Sequence, residues 1–312
     1  MNMTTALISH QQKTEELPLV VARLTQKIKQ QGAQDGFSVA EQLDLLQALQ
    51  SFDFGRFLLQ NQGINGFWTH YMLTHPLQGR LTGKNNRGDR FSSLEKFILD
   101  DSPLMLATQE RFTLFLKENQ TMLRSGAKLA CIPCGMMGEL LYLDFEGIQA
   151  CQLVGIDYDA DTLADAKHLA TTKGLSQWLI LEQADAWEIT DCNEFDLLSS
   201  NGLSIYEPDT ARLLQLYQRF YTALKPGGKL VTSFITPPPT ATDPGEWDMA
   251  RINHEHLRLQ KLLFTTLIDS KFRCFRSTRE THDLLSQAGF SNIRFLYDQA
   301  RLFPTVTAFK PQ

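Results

Sequence analysis

Long apolar runs, an excess of positive charge and a cysteine framework are all missing from this chain. No unbroken apolar stretch approaches the roughly 18 residues that a membrane-spanning helix needs, and mean hydropathy is −0.23, so no membrane association is expected. The 30 Lys and Arg stand against 35 Asp and Glu, a net charge of −5, which argues against a whole-chain nucleic-acid binder. Five cysteines in 312 residues, an odd count, fit a reducing cytoplasm better than a set of disulfides. The opening residues 1–17 lack a basic region followed by a long apolar one, so no signal peptide is expected there. Internal repeats and low-complexity segments are absent as well. What is present, 43% hydrophobic and 21% charged residues, suffices for the core of one large domain or two small ones.

Two halves differ in pattern. Residues 1–123 read as helices and loops. Leu17, Val20, Val21, Leu24 and Ile28 recur at helical spacing within 15–31. Ser38-Val39-Ala40-Glu41 and Ser92-Ser93-Leu94-Glu95 have the form of capping boxes. Pro103 opens a third apolar-periodic segment toward Leu123.

From Lys128 strands alternate with helices: 129–132, 153–157, 178–181, 195–199 and 229–235 are the apolar strand candidates. The clearest helix runs over 209–224, with Leu213, Leu216, Tyr217, Phe220 and Leu224 on one face, and stops at Lys225-Pro226-Gly227-Gly228. Alternation of this kind implies a parallel sheet with helices on both faces. The last two strand-like runs, 292–296 and 305–309, leave no room for a helix between them and must pair antiparallel. The expected architecture is therefore α/β, a seven-stranded, mostly parallel, doubly wound sheet with an antiparallel final strand. A helical region precedes it, giving domains 1–123 and 124–312. An insertion over 237–275 opens on Pro237-Pro238-Pro239 and carries a helix over 249–268.

The chemistry points to the segment Cys131-Ile132-Pro133-Cys134-Gly135-Met136-Met137-Gly138. A strand enters it and a helix over about 136–144 leaves it, aiming its N-terminus at a ligand. Gly135 and Gly138 let backbone N–H groups come close to that ligand. The next strand ends in Asp157, whose carboxylate can accept two hydrogen bonds from ribose hydroxyls. Asp185-Ala186 closes the third strand, where an acid and a backbone N–H can read an adenine edge. The fourth strand opens into the small polar loop Ser199-Ser200-Asn201-Gly202.

With "GIDYDADTL", "FDLLSSNGLSIY", "ALKPGGKLV" and the closing "LLSQAGFSNIRF…PTVTAFK", the chain resembles the class I S-adenosylmethionine-dependent methyltransferases over roughly residues 125–310. The resemblance implies that Pro133, Cys134, Gly135, Met136 and Gly138 wrap the methionine end of the cofactor. It implies that Asp157, with Tyr158, binds the ribose side, that Asp185 and Ala186 border the adenine, and that Asn201 and Gly202 face the reacting methyl. Three positions depart from the pattern. Cys131 stands where the family has an acid, and Pro133 and Met137 stand where it has glycines. Either Gly138 restores the turn and the methionine ammonium is held by another group, or the pocket no longer turns over.

Other groups read more plainly. Cys131 and Cys134 suit a tight turn rather than a redox pair or zinc site, and no metal is expected. His254-Glu255-His256 cannot put both histidines on one helical face. Phe67, Trp68, His70 and Tyr71 read as core packing, with a cover over a sulfonium as the alternative. Arg80, Lys84, Arg87 and Arg90 read as a solvated loop, with an anionic substrate as the alternative. The expected function is methyl transfer from S-adenosylmethionine to a small molecule, with His70, Tyr71, Tyr206 and His254 as candidate bases. A nicotinamide-dependent oxidoreductase and a non-catalytic cofactor-binding module are the alternatives. The former lacks support because a G-x-G-x-x-G turn is absent.

Overall fold

The computed structural model describes residues 15–240 and 242–312; the opening stretch read against a signal peptide lies, through residue 14, outside the described residues. The helices are α1 (Leu17–Gln31), α2 (Val39–Leu49), α3 (Asp53–Asn61), α4 (Gly66–Thr74), α5 (Gly79–Thr82), α6 (Ser93–Asp100), α7 (Pro103–Gln120), α8 (Gly138–Leu141), α9 (Ala160–Thr172), α10 (Thr210–Ala223), α11 (His254–Lys261) and α12 (Thr278–Gln287). The strands are β1 (Lys128–Cys131), β2 (Gln152–Asp157), β3 (Leu179–Gln183), β4 (Phe195–Ser200), β5 (Leu224–Ser233), β6 (Ser291–Leu296) and β7 (Thr305–Phe309). None of the described helices is long and apolar enough to cross a membrane. The chain forms two compact units, Met1–Gln109 with Met249–Phe272, and Glu110–Asp248 with Arg273–Gln312.

In the first unit the capping box at α2 is complete. Ser38 Oγ accepts from the Glu41 N–H, and the Glu41 carboxylate accepts from the Ser38 N–H at 2.7 Å. At α6 only half of the expected box forms. Ser92 caps the Glu95 N–H, but the buried Glu95 carboxylate accepts from Tyr71 Oη at 2.9 Å instead. A box not read from the sequence, Ser277 with Glu280, opens α12 in the second unit.

The aromatic run in α4 is packing. Trp68 stacks on Phe54 with centroids 5.1 Å apart, and Tyr71 meets Trp68 edge-on at 5.2 Å. The basic loop is solvated, with Arg87 forked onto Asp53 and Arg80 on Asp100. The helix expected over 249–268 is interrupted. A 3-10 turn, Met249–Arg251, precedes α11, and a π turn, Leu262–Leu267, follows it. Buried Gln260 fastens this return segment: its Oε1 accepts from Ser102 Oγ and from the Leu104 N–H, both at 2.7 Å.

The second unit is a seven-stranded sheet in the order β3-β2-β1-β4-β5-β7-β6. Strands β1 to β5 run parallel, and β7 lies antiparallel to both β5 and β6. Alternation places Leu129 and Cys131 on one face, in a core with Phe115 of α7 and Ala166 and Ala170 of α9. Ala130 and Ile132 fall on the other, with Leu213 and Phe220 of α10 and Leu285 of α12. The segment Lys225-Pro226-Gly227-Gly228, read as the stop of a helix, does follow the end of α10 and already belongs to β5. Gly227 N–H donates to Lys310 O, and Gly228 O accepts from Lys310 N–H, so these two groups pair with the residue that follows β7. Trp178, expected to open a strand, ends a 3-10 turn just before β3. Since the crossover direction reverses between β1 and β4, the C-terminal ends of these strands border a crevice suited to ligands.

Candidate active site

The first turn closes over that crevice. Cys134 N–H donates to Ile156 O at 2.8 Å and Ile132 N–H to Ser199 O at 2.9 Å, so the turn is pinned to β2 on one side and β4 on the other. The Ile132–Pro133 peptide is cis, and Gly135 and Met137 both have positive φ, 49° and 55°. The helix expected over 136–144 shrinks to the single turn α8, because left-handed Met137 delays its start to Gly138. A helix that short gives little dipole to an anion.

Met137 occupies a glycine's place by burying its side chain. A Cβ added at Gly155, on β2 beneath the turn, would stand 2.5 Å from Met137 Sδ, 2.8 Å from Leu181 Cδ2 and 3.2 Å from Cys134 Sγ. The space that glycine surrenders in the turn is thus recovered in the neighbouring strand. Cys131 and Cys134 fill the core below, with thiols that burial pushes well above their ordinary pKa. A protonated, buried thiol is a poor nucleophile and a poor metal ligand.

Asp157 ends β2. Its Oδ2 accepts from the Gly135 N–H at 2.9 Å and its Oδ1 from the Asp159 N–H at 3.0 Å. Burial raises its pKa, while these backbone N–H groups pull it back. Each oxygen keeps a lone pair for a further donor. Beside it the Tyr158 ring is 50% exposed. Past β3, Asp185 accepts from the Trp187 N–H at 2.9 Å, and Ala186 is buried.

Two charged residues that the sequence reading passed over stand at the same edge. Glu139, the second residue of α8, is 6% exposed. Its Oε1 accepts from Asn201 Nδ2 at 2.5 Å, and its Oε2 accepts from the Cys131 thiol at 3.6 Å. The carboxylate missing from position 131 is therefore brought back against it from eight residues downstream. Asn201 keeps a buried Oδ1 with no hydrogen-bond partner. Arg111 of α7 is 3% exposed. Its guanidinium lies 3.5 Å over the Phe303 ring, and Nη1 donates to Ser233 Oγ at 3.4 Å. Burial pulls its pKa down to about 9, against the pull of Glu139, Asp298 and Tyr206. Arg111 shares with Phe115 and Asn119 an i, i+4 row of α7 that is buried throughout, but a row of Arg, Phe and Asn carries no sequence signal for burial.

The sequence-predicted residues Pro133 to Gly138, Asp157, Tyr158, Asp185, Ala186, Asn201 and Gly202 thus follow the C-terminal ends of β1 to β4 in one unit. Of the candidate bases, Tyr206 belongs to that unit, in the 3-10 turn after β4. His70, Tyr71 and His254 belong to the other unit. Tyr71 holds its proton toward Glu95, and burial raises its pKa far above the ordinary tyrosine range. His254 is exposed at the start of α11.

A family model described as a methyltransferase domain matches residues 131–228. No curated protein matches the chain. Among solved structures, a possible exported protein from Bordetella parapertussis is 44% identical, with 95% of this chain and 96% of that one covered and a TM-score of 0.88. Phosphoethanolamine N-methyltransferase 2 of Haemonchus contortus, in complex with S-adenosyl-L-methionine, is 15% identical over 70% of this chain and 56% of that one, with a TM-score of 0.48. The S-adenosylmethionine-dependent methyltransferase SibL in its apo form is 15% identical over 86% and 76%, with a TM-score of 0.49.

Proposed function

The chain belongs to the class I S-adenosylmethionine-dependent methyltransferases, and from that premise we propose that it transfers the methyl group of S-adenosylmethionine to a small molecule. The observation that carries this reading is Asp157, tied to Gly135 across the β1–β2 turn and keeping lone pairs for two ribose hydroxyls. The residues at this edge fit the cofactor. Asp157 and Tyr158 take its ribose side, Asp185 and Ala186 border its adenine, and Pro133 to Met136 with Gly138 enclose its methionine chain. Asn201 Oδ1, buried without a partner, waits for a donor there. Glu139 supplies the carboxylate that Cys131 lacks, so the ammonium is held from the helix rather than from β1. When bound, S-adenosylmethionine supplies a methyl already activated on a sulfonium.

The protein's part is then to align the acceptor with that methyl and keep water out. No strong side-chain nucleophile is required. Tyr206 is the candidate base in the unit that carries the turn, of use where the acceptor atom bears a proton. Family membership sets the nicotinamide-dependent reading aside. The non-catalytic reading drew on the missing acid, and the Glu139 carboxylate 3.6 Å from the Cys131 thiol answers that departure.

A cytoplasmic setting goes with this reading, since all five cysteines are unpaired. The Bordetella protein's description as exported belongs to that protein; fractionation of the native cells tests the point here, with recovery outside the cytosol overturning it. For the activity, Asp157→Ala is expected to weaken S-adenosylhomocysteine at least tenfold, about 1.4 kcal/mol. Calorimetry that finds unchanged affinity removes Asp157 from the cofactor.

A further inference from the structure

We propose that Arg111 seats a carboxylate of the methyl acceptor, so that the substrate class is small organic acids rather than neutral molecules; this rests on the methyltransferase reading above. A buried guanidinium needs an anion, because desolvating an uncompensated charge is expensive. Among the described residues no carboxylate reaches ion-pair distance of it; Glu139 and Asp298 act on it only from farther off, so the compensation is partial. Its polar contact is the neutral Ser233 hydroxyl at 3.4 Å, its Nε has no acceptor, and the Phe303 ring covers one face. Such a ring offers partial compensation and leaves the planar fork available, the geometry that pairs bidentately with a carboxylate.

Position separates this group from the cofactor's share of the edge. Ser233 closes β5, Gly202 follows β4 and Phe303 precedes β7. The residues assigned to the adenosine lie instead at the ends of β2 and β3, on the other side of β1 in the sheet order. Gly202 lies on the guanidinium's flank. A Cβ there would stand 3.9 Å from Nη1, and without one the backbone at the β4 loop stays low beside it. The acceptor is thus held by its acid group at Arg111, beyond Asn201.

The test uses purified protein saturated with S-adenosylhomocysteine and acetate as the probe, titrated against chloride at equal ionic strength. Saturable stabilisation of the wild type by acetate in thermal melts is expected. Arg111→Gln is expected to abolish it, with S-adenosylhomocysteine affinity kept within about twofold. Arg111→Lys keeps the charge but loses the fork, so acetate is expected to bind at least about threefold more weakly; this variant decides the matter if the glutamine variant does not fold. Acetate acting no differently from chloride on the wild type, or equally on wild type and variants, overturns the proposal. A loss of S-adenosylhomocysteine affinity of about tenfold or more in Arg111→Gln also overturns it, by giving the cation to the cofactor's own carboxylate. If the wild type binds no S-adenosylhomocysteine, the proposed function fails, and the acetate titration on unloaded protein still judges Arg111.

Discussion

Glu139 and Cys131 exchange roles that a sequence pattern assigns by position. The pattern looks for an acid at the end of β1, finds a thiol, and reports a loss. In space the carboxylate is present, accepting from that thiol at 3.6 Å and from Asn201 at 2.5 Å. Glu139→Gln is therefore expected to weaken S-adenosylhomocysteine about tenfold or more, through loss of a charge-assisted bond. Adding Cys131→Asp to it is expected to recover most of the affinity, because the acid returns to β1. Cys131→Asp alone crowds two carboxylates and is expected to lower stability. Calorimetry on the three variants checks this; a double variant as weak as the single one refutes the exchange. Asp157 was legible because its spacing from the turn is fixed by one helix and one strand. Glu139 was not, because its approach to Cys131 depends on the turn passing through a left-handed Met137.

The turn and β2 form the element on which the site stands. Strand positions were readable from apolar runs, and the final antiparallel pair from the short gap between 296 and 305. The length of α8 was not, since nothing in the residue pattern announces a methionine in the left-handed region. What compensates it sits 18 residues away, at Gly155. Gly155→Ala drives a methyl to within 3 Å of Met137 and Leu181. Overpacking of this kind costs about 1–3 kcal/mol, and here the displaced neighbour is the turn itself. The variant is expected to melt lower and to bind S-adenosylhomocysteine more weakly. A melt unchanged within error means that Met137 has somewhere else to go. The capping boxes teach a parallel lesson. Ser38–Glu41 formed as read, whereas Glu95 answered to Tyr71 instead, because its carboxylate is buried and takes the nearer donor.

For the whole molecule, the α/β class and the seven-stranded mixed sheet were legible, since alternation of strand and helix leaves few topologies open. Where α7 passes from one unit to the other was not, because the helix's periodicity runs through residues 109 and 110 without a break. The buried arginine on that helix was hidden for a related reason. A single charge in an apolar stripe looks like a surface residue until the partner elements are in place.

The return of residues 249–272 to the first unit has a consequence for how the protein is made. A ribosome delivers residues 15–109 before the sheet, yet Ser102 Oγ and the Leu104 N–H donate to Gln260, which emerges after all five parallel strands. The helical unit is therefore closed only after the five parallel strands have been synthesised, with β6 and β7 still to follow. Residues 1–109 expressed alone are expected to give a protease-sensitive product. The same segment joined by a flexible linker to 249–272 is expected to resist digestion. If the short fragment is equally resistant, the late segment is a passenger rather than a closing piece.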